Sequence, residues 1–255
     1  EARPILSRPR DNRPIGCLTR RRFFNRAALI AGAPFVSRQR ARGASPNGKL
    51  QHACIGVTRM GENDLRNFLA HERLEIVAIC DVDSGHLEKA AQLVPAARRY
   101  TDWREMFAKE GDRIDSANVT TPDHMHFPIA HEALRLGKHV YCQKPMCHDI
   151  AEVRLLTEFA DQKGVVTQLG TQHASKLGDR MMVQYMRDGV IGKIKRAYLC
   201  TNRPAPNRLG GPRPAEGQAP PPELDWEGWL GTAPWRPFVP EIYHPARWRA
   251  WKDFS

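Results

Sequence analysis

None of the six cysteines in this chain forms a C-x-x-C pair, and no His or Cys spacing matches a structural zinc site. The sequence therefore predicts no metal. The apolar run Ala27–Val36 is too short to cross a bilayer, which takes about 20 residues. The body of the chain also lacks a surplus of positive charge. The formal net charge is +11, but residues 1–50 hold twelve Lys and Arg against Glu1 and Asp11, and the remainder balances 27 bases against 26 acids. A nucleic-acid partner is not expected, because a DNA- or RNA-binding face needs basic residues on the folded part. No segment repeats itself. What is present is 255 residues, 41% of them hydrophobic, enough for one large domain or two modest ones with a packed core.

Residues 1–48 are rich in Arg, Pro and small side chains. Within them Thr19-Arg20-Arg21-Arg22-Phe23 precedes the short apolar run and a stretch of small residues ending near Ala44. A charged start, an apolar middle and a small-residue end describe an export signal. The paired arginines before Phe23 resemble the Tat type, which implies the Tat translocase as a partner during export and a periplasmic or extracellular location.

From Ala53 onward strands alternate with helices. Strands are predicted at Ala53–Val57, Leu74–Cys80, Ile114–Thr120, Lys138–Cys142 and Val165–Leu169. Helices are predicted at Met60–Ala70, Ser84–Leu93 (capped by Ser84), Asp102–Ala108, Asp123–Leu136 and Ile150–Lys163, the last closed by Gly164. This order predicts βαβ units, an α/β fold with a Rossmann-like, doubly wound parallel sheet, and ligands at the C-terminal strand ends. Beyond Gly170 a helix is expected at Arg180–Asp188 and a strand at Ile194–Thr201, then a Pro- and Gly-rich loop from Arg203 to Leu224. Trp226, Trp229, Trp235, Trp248 and Trp251 follow, as packing for a small second domain or as a surface for sugar rings. Cys54, Cys80, Cys142 and Cys200 sit in the strand-like runs and read as small buried hydrophobes, with Cys17 and Cys147 outside them.

The chemistry concentrates at three strand ends. Gly56-Val57-Thr58-Arg59-Met60-Gly61 joins the first strand to the first helix, and Asp81 closes the second strand. A helix N-terminus here offers free N–H groups to a pyrophosphate, and an acid at Asp81 accepts bonds from ribose hydroxyls while disfavouring a 2′-phosphate. NAD is therefore expected over NADP. Thr58 stands where the second glycine of such a turn is expected, so either Arg59 shifts onto the phosphate or binding weakens. Thr121, Pro122 and His126 follow the strand at 114–120, Gln143-Lys144-Pro145 follow the next strand, and Gln172 and His173 follow the strand at 165–169, where they can line a substrate pocket.

The segments Thr121-Pro122-Asp123-His124-Met125-His126 and Gln143-Lys144-Pro145, in this order behind the glycine turn, resemble the T-P-x-x-x-H and E-K-P motifs of the Gfo/Idh/MocA oxidoreductases. The stretch His139–Leu156 looks like the secreted branch of that family, and the resemblance runs from about Lys49 to the end. It implies hydride transfer to or from a sugar or polyol carbinol carbon. It places Lys144 beside the nicotinamide, hydrogen-bonded to a substrate hydroxyl and able to relay its proton, and puts His126 near the cofactor. Gln143 replaces the family's Glu and leaves Lys144 without a neighbouring anion. The family's later Asp- and His-bearing segment is expected just where the chain stops, at Trp248–Ser255, so the resemblance implies a C-terminally truncated chain. The expected organisation is a signal and linker over 1–48, a dinucleotide domain over 49–169, and an incomplete α+β substrate domain over 170–255, with a homo-oligomer possible in a complete protein. A non-catalytic Rossmann-like binding protein, and a lyase or hydrolase that cycles bound NAD, remain the alternatives.

Overall fold

The computed structural model describes residues 48–200, 212–245 and 247–255. The export signal, Cys17 and most of the first half of the Pro-rich loop lie outside these residues. Six strands form one parallel sheet: β1 (Leu50–Ile55), β2 (Leu74–Cys80), β3 (Arg98–Tyr100), β4 (Ser116–Val119), β5 (His139–Gln143) and β6 (Thr167–Gly170). The order across the sheet is β3-β2-β1-β4-β5-β6, a Rossmann fold. The helices are α1 (Met60–Leu69), α2 (Ser84–Ala91), α3 (Trp103–Glu110), α4 (His126–Arg135), α5 (Ile150–Lys163), α6 (Leu177–Arg187) and α7 (Trp226–Leu230).

Period-2 alternation along the strands sends side chains to two separate cores. Ala53 and Ile55 of β1 face a layer built by α3, α4 and α5, with Met106, Ile129, Leu134 and Leu156. Cys54, between them, faces the opposite layer, with Leu65 of α1 and Leu87 of α2. Helix starts follow side-chain chemistry. The Asp83 carboxylate accepts the His86 N–H, so Asp83 rather than Ser84 caps α2. Asp102 caps α3 in the same way, and Asp149 with Glu152 forms a capping box on α5, which ends at Gly164 with φ 63°.

Several expectations shift. β1 begins at Leu50 and stops before Gly56, β3 is an additional edge strand, and residues 123–125 form a turn of 3₁₀ helix ahead of α4. The strand expected at Ile194–Thr201 does not form over its described part. Residues 194–200 carry no regular structure and are exposed, Cys200 among them. A lone strand with no partner edge has nowhere to place its N–H and C=O groups except water. Helix α6 does form, with Met181, Met182, Val183 and Tyr185 exposed.

The segment after residue 211 packs onto the sheet's C-terminal end. Leu224, Trp226, Trp229, Phe238, Tyr243, Trp248 and Phe254 form one buried cluster that also takes in Val82. Trp226 and Trp229 stack with centroids 4.9 Å apart. Trp251 packs against this cluster, whereas Trp235 is exposed at 72% and packs no core. Backbone bonds fix the dock. Asp225 N–H donates to Val82 O (2.9 Å), Ser84 N–H to Glu223 O (2.8 Å), and His124 N–H to Phe254 O (3.3 Å).

Candidate functional site

A cleft opens where the sheet's C-terminal end meets the aromatic segment. Gly56, Thr58, Arg59, Met60, Asp81, Thr121 and Pro122 line one side, and Trp229, His244, Trp248 and Arg249 line the other. The glycine turn is shaped by close approach. At Gly56, φ is 80° and an added Cβ would lie 2.4 Å from Thr120 O. At Gly61 it would lie 2.0 Å from Gly56 O, so α1 starts pressed against the turn. The missing second glycine proves to matter at a different position. The left-handed backbone falls on Arg59 (φ 53°, ψ −107°), while Thr58 has no such φ and sits partly exposed on the cleft wall. The demand on conformation is thus met by an arginine, at a cost of about 1–3 kcal/mol for a non-glycine residue.

This cleft suits an anion next to a diol. Arg59 makes no side-chain cap on α1; the Gly61 N–H is taken by Thr58 O (2.8 Å) and the Asn63 N–H by Arg59 O (3.1 Å), so the positive end of the helix dipole and the remaining first-turn N–H groups are what a ligand can use. Burial lowers the Arg249 guanidinium's pKa, the Asp123 charge opposes this, and nearby Arg59 lowers it further. Two cations thus share the cleft, with Arg249 also lying 4.0 Å over the Trp248 ring. At the end of β2, beside the glycine turn, Asp81 Oδ2 accepts the Val57 N–H (3.0 Å) and Oδ1 accepts the Asp83 N–H (3.1 Å). Its carboxylate ties the glycine turn to the β2–α2 turn, and each oxygen keeps a lone pair for a sugar hydroxyl. These groups fit a dinucleotide, the diphosphate toward α1 and a ribose toward Asp81.

The other residues expected at the site stand elsewhere. His126 is buried rather than cleft-lining. Its Nδ1 lies 2.6 Å from Pro145 O and its Nε2 lies 2.9 Å from Thr121 O, so it holds the loops after β4 and β5 together. Burial pushes its pKa down, against the pull of the Pro145 carbonyl. Gln143 is buried too, and donates to Asp64 Oδ2 at 2.8 Å. Lys144 is exposed at the end of β5 and does not line the cleft. Gln172 contacts Met60 Sδ at 3.6 Å, and His173 is exposed; both lie outside the cleft.

Sequence reading missed the polar chain beneath the glycine turn. Ser116 Oγ lies 2.8 Å from His52 Nδ1, and His52 Nε2 lies 3.1 Å from Asn118 Oδ1. Asn118 Nδ2 donates to Thr120 Oγ1 (2.9 Å), which donates to Asp64 Oδ2 (3.0 Å), where Gln143 also donates. Every donor runs toward Asp64, so Asp64 Oδ2 acts as the acceptor that ends the chain, and the bonds require an Nε2–H tautomer at His52. Burial pushes the Asp64 carboxyl up, while Gln143, Thr120 and Gln172 pull it back. Gln143 therefore serves as a donor to an acid already in the core, which a glutamate cannot do when ionised.

Residues 50–171 match the family model described as "Oxidoreductase family, NAD-binding Rossmann fold", GFO_IDH_MocA. Over 144 residues the chain is 27% identical to the D-apiose dehydrogenase of Paraburkholderia graminis, covering 56% of this chain and 38% of that one. It is 31% identical over 142 residues to a glycosyl hydrolase family 109 protein of Streptomyces filamentosus, covering 52% and 26%. Among solved structures, the myo-inositol 2-dehydrogenase of Lactobacillus plantarum aligns with a TM-score of 0.54 at 28% identity, over 57% of this chain and 43% of that one. The scyllo-inositol dehydrogenase of Lactobacillus casei with NAD(H) and scyllo-inositol shares the fold, with a TM-score of 0.53 at 23% identity over 56% and 42%. The chain spans about two fifths of the length of the first two curated relatives it matches. The family match and the oxidoreductase relatives support the Gfo/Idh/MocA family and an NAD-binding Rossmann fold for residues 50–171.

Proposed function

We propose that this chain belongs to the Gfo/Idh/MocA oxidoreductases and serves hydride transfer to or from a carbinol carbon of a sugar or polyol, with NAD preferred to NADP. The observation that carries the reading is the cleft itself: an uncapped helix end and two arginines beside Gly56, with Asp81 at the neighbouring strand end. When bound, the nicotinamide cofactor supplies or accepts the hydride. The chain's own residues do the rest. Arg59, Arg249 and the α1 N-terminus hold the diphosphate, and Asp81 accepts the ribose hydroxyls and repels a 2′-phosphate. Lys144, solvent-accessible at the end of β5, holds the substrate hydroxyl and takes up or returns its proton. His126 positions Lys144 by bonding the Pro145 carbonyl. Gln172 and His173, which directly follow β6, are assigned to the substrate side in this reading on their position after the strand end. The polyol class is supported by the D-apiose and inositol dehydrogenases among the relatives.

A thermal melt with NADH and with NADPH tests this reading. NADH is expected to raise the midpoint more than NADPH does, and Lys144→Ala is expected to keep the NADH shift while losing any polyol turnover. No shift with either cofactor would refute the assignment.

A second reading, a hydrolase that oxidises and re-reduces its substrate on bound NAD, rests on the relatives named glycosyl hydrolase family 109 proteins. Trapping reduced cofactor during glycoside cleavage distinguishes it. Export through the Tat system is proposed on Arg20-Arg21 and the apolar run behind them alone. Residues 1–48 fused to a reporter should carry it out of the cytoplasm, and Arg20→Lys with Arg21→Lys should retain it.

A further inference from the structure

Beside Asp81, three side chains from two distant parts of the chain converge. Asp83 caps α2, His86 lies on its first turn, and His244 comes from the aromatic segment. One ligand atom from each lies within 4.8 Å of the others. His86 Nδ1 lies 3.7 Å from Asp83 Oδ2, and His244 Nε2 lies 3.5 Å from the same oxygen. These separations are too long for hydrogen bonds, which close at about 2.7–3.2 Å. They do suit ligands sharing one ion, because bonds of about 2.0–2.2 Å at tetrahedral angles set ligand atoms roughly 3.3 Å apart.

Two further observations point the same way. His86 Nδ1 is buried and has no hydrogen-bond partner among the described residues. Asp81 Oδ1, 3.7 Å from it, adds a second carboxylate to a pocket whose other members are imidazoles. Asp83 Oδ1 meanwhile accepts the His86 backbone N–H at 3.0 Å, which fixes the carboxylate and leaves Oδ2 for the shared point. Such outer bonds orient metal ligands.

We propose that Asp83, His86 and His244 bind a divalent transition-metal ion of the zinc class, with its remaining position open to the cleft. Imidazole and carboxylate donors without thiolate suit such ions. The ion would pin the segment carrying His244 to the start of α2, adding to the backbone bonds Ser84–Glu223 and Asp225–Val82. It would thereby fix one wall of the cleft that both His86 and His244 line. No local spacing signals this site, because the third ligand is remote in sequence.

The test uses the untagged 255-residue chain, stripped with a chelator and titrated with Co²⁺. Expected are one equivalent bound, visible d–d bands of a nitrogen and oxygen site, displacement by Zn²⁺, and a melting midpoint that rises with Zn²⁺. In His86→Gln and His244→Gln the affinity should fall at least about tenfold, since loss of even an outer-shell partner costs that much. Absence of saturable binding by the wild-type chain would overturn the proposal. So would binding unchanged in both variants, or a sulfur-to-cobalt charge-transfer band placing the ion on a cysteine. If a variant fails to fold, Zn²⁺ protection of His86 and His244 from carbethoxylation in the wild-type chain decides, and unprotected histidines refute the site.

Discussion

The substitution Gln143→Glu installs the glutamate of the E-K-P motif that this segment resembles, yet the structure predicts that it harms this chain. Gln143 Nε2 donates to Asp64 Oδ2 at 2.8 Å in a site where Asp64 is 3% exposed. A glutamate there offers an acceptor to an acceptor. If both carboxylates ionise, their repulsion at that distance is about 6 kcal/mol at an effective dielectric of about 20. If instead one stays protonated, a carboxyl with an ordinary pKa of about 4.3 costs up to about 5 kcal/mol at about pH 8 and about 1 kcal/mol at about pH 5. Neither route avoids the penalty at high pH, and either is a large share of the usual stability of about 5–15 kcal/mol. The pair's folded pKa is raised above the unfolded value, so the neutral pairing stabilises at low pH and is lost as pH rises. Urea unfolding followed by tryptophan fluorescence should show the variant several kcal/mol below wild type at the higher pH and near it at the lower. The double variant Asp64→Asn with Gln143→Glu, which reverses donor and acceptor, should recover most of the loss. A Gln143→Glu chain as stable as wild type at both pH values would refute the network as drawn.

Two more outcomes follow from the geometry. Arg59→Gly should raise the apo melting midpoint by relieving a left-handed backbone, a net gain of about 1 kcal/mol after glycine's own entropic cost; the same change should weaken NADH binding by removing one cation, and a lower apo midpoint would count against the strain. His52 and His124 are both pushed down to about 4, by burial first, with the hydrogen bonds they donate to carbonyl oxygens opposing. Each folded pKa lies below the unfolded value of about 6.5, so their stabilisation is complete above about pH 6.5 and drains as pH falls toward about 4, by up to about 3 kcal/mol each. Unfolding free energy measured across that window should fall with acid, and His52→Gln should flatten the slope; an unchanged slope in that variant would place the protons elsewhere.

The βαβ order was legible because hydrophobic alternation and cap residues are local signals. Leu74–Cys80 and Ile150–Lys163 were readable to the residue, since each is bounded by its own turn chemistry, Asp149 and Gly164 for the helix. Residues 194–200 carried the same apolar pattern and failed as a strand, because pairing is a property of two segments and pattern belongs to one. The same distinction divides the site. Gly56, Gly61 and Asp81 could be found from their places in one βαβ unit, whose geometry the sequence order dictates. Arg59's left-handed backbone, the donor chain from Ser116 to Asp64, and the meeting of His244 with Asp83 all depend on contacts between remote segments. Gln143 shows why this matters for function: read against a family motif it is a lost charge, and read against Asp64 it is a neutral amide donor that its buried partner can accept without sharing a proton. A substitution in a motif is therefore interpretable only with the residue it faces, and here that residue lies on the first helix, outside any motif.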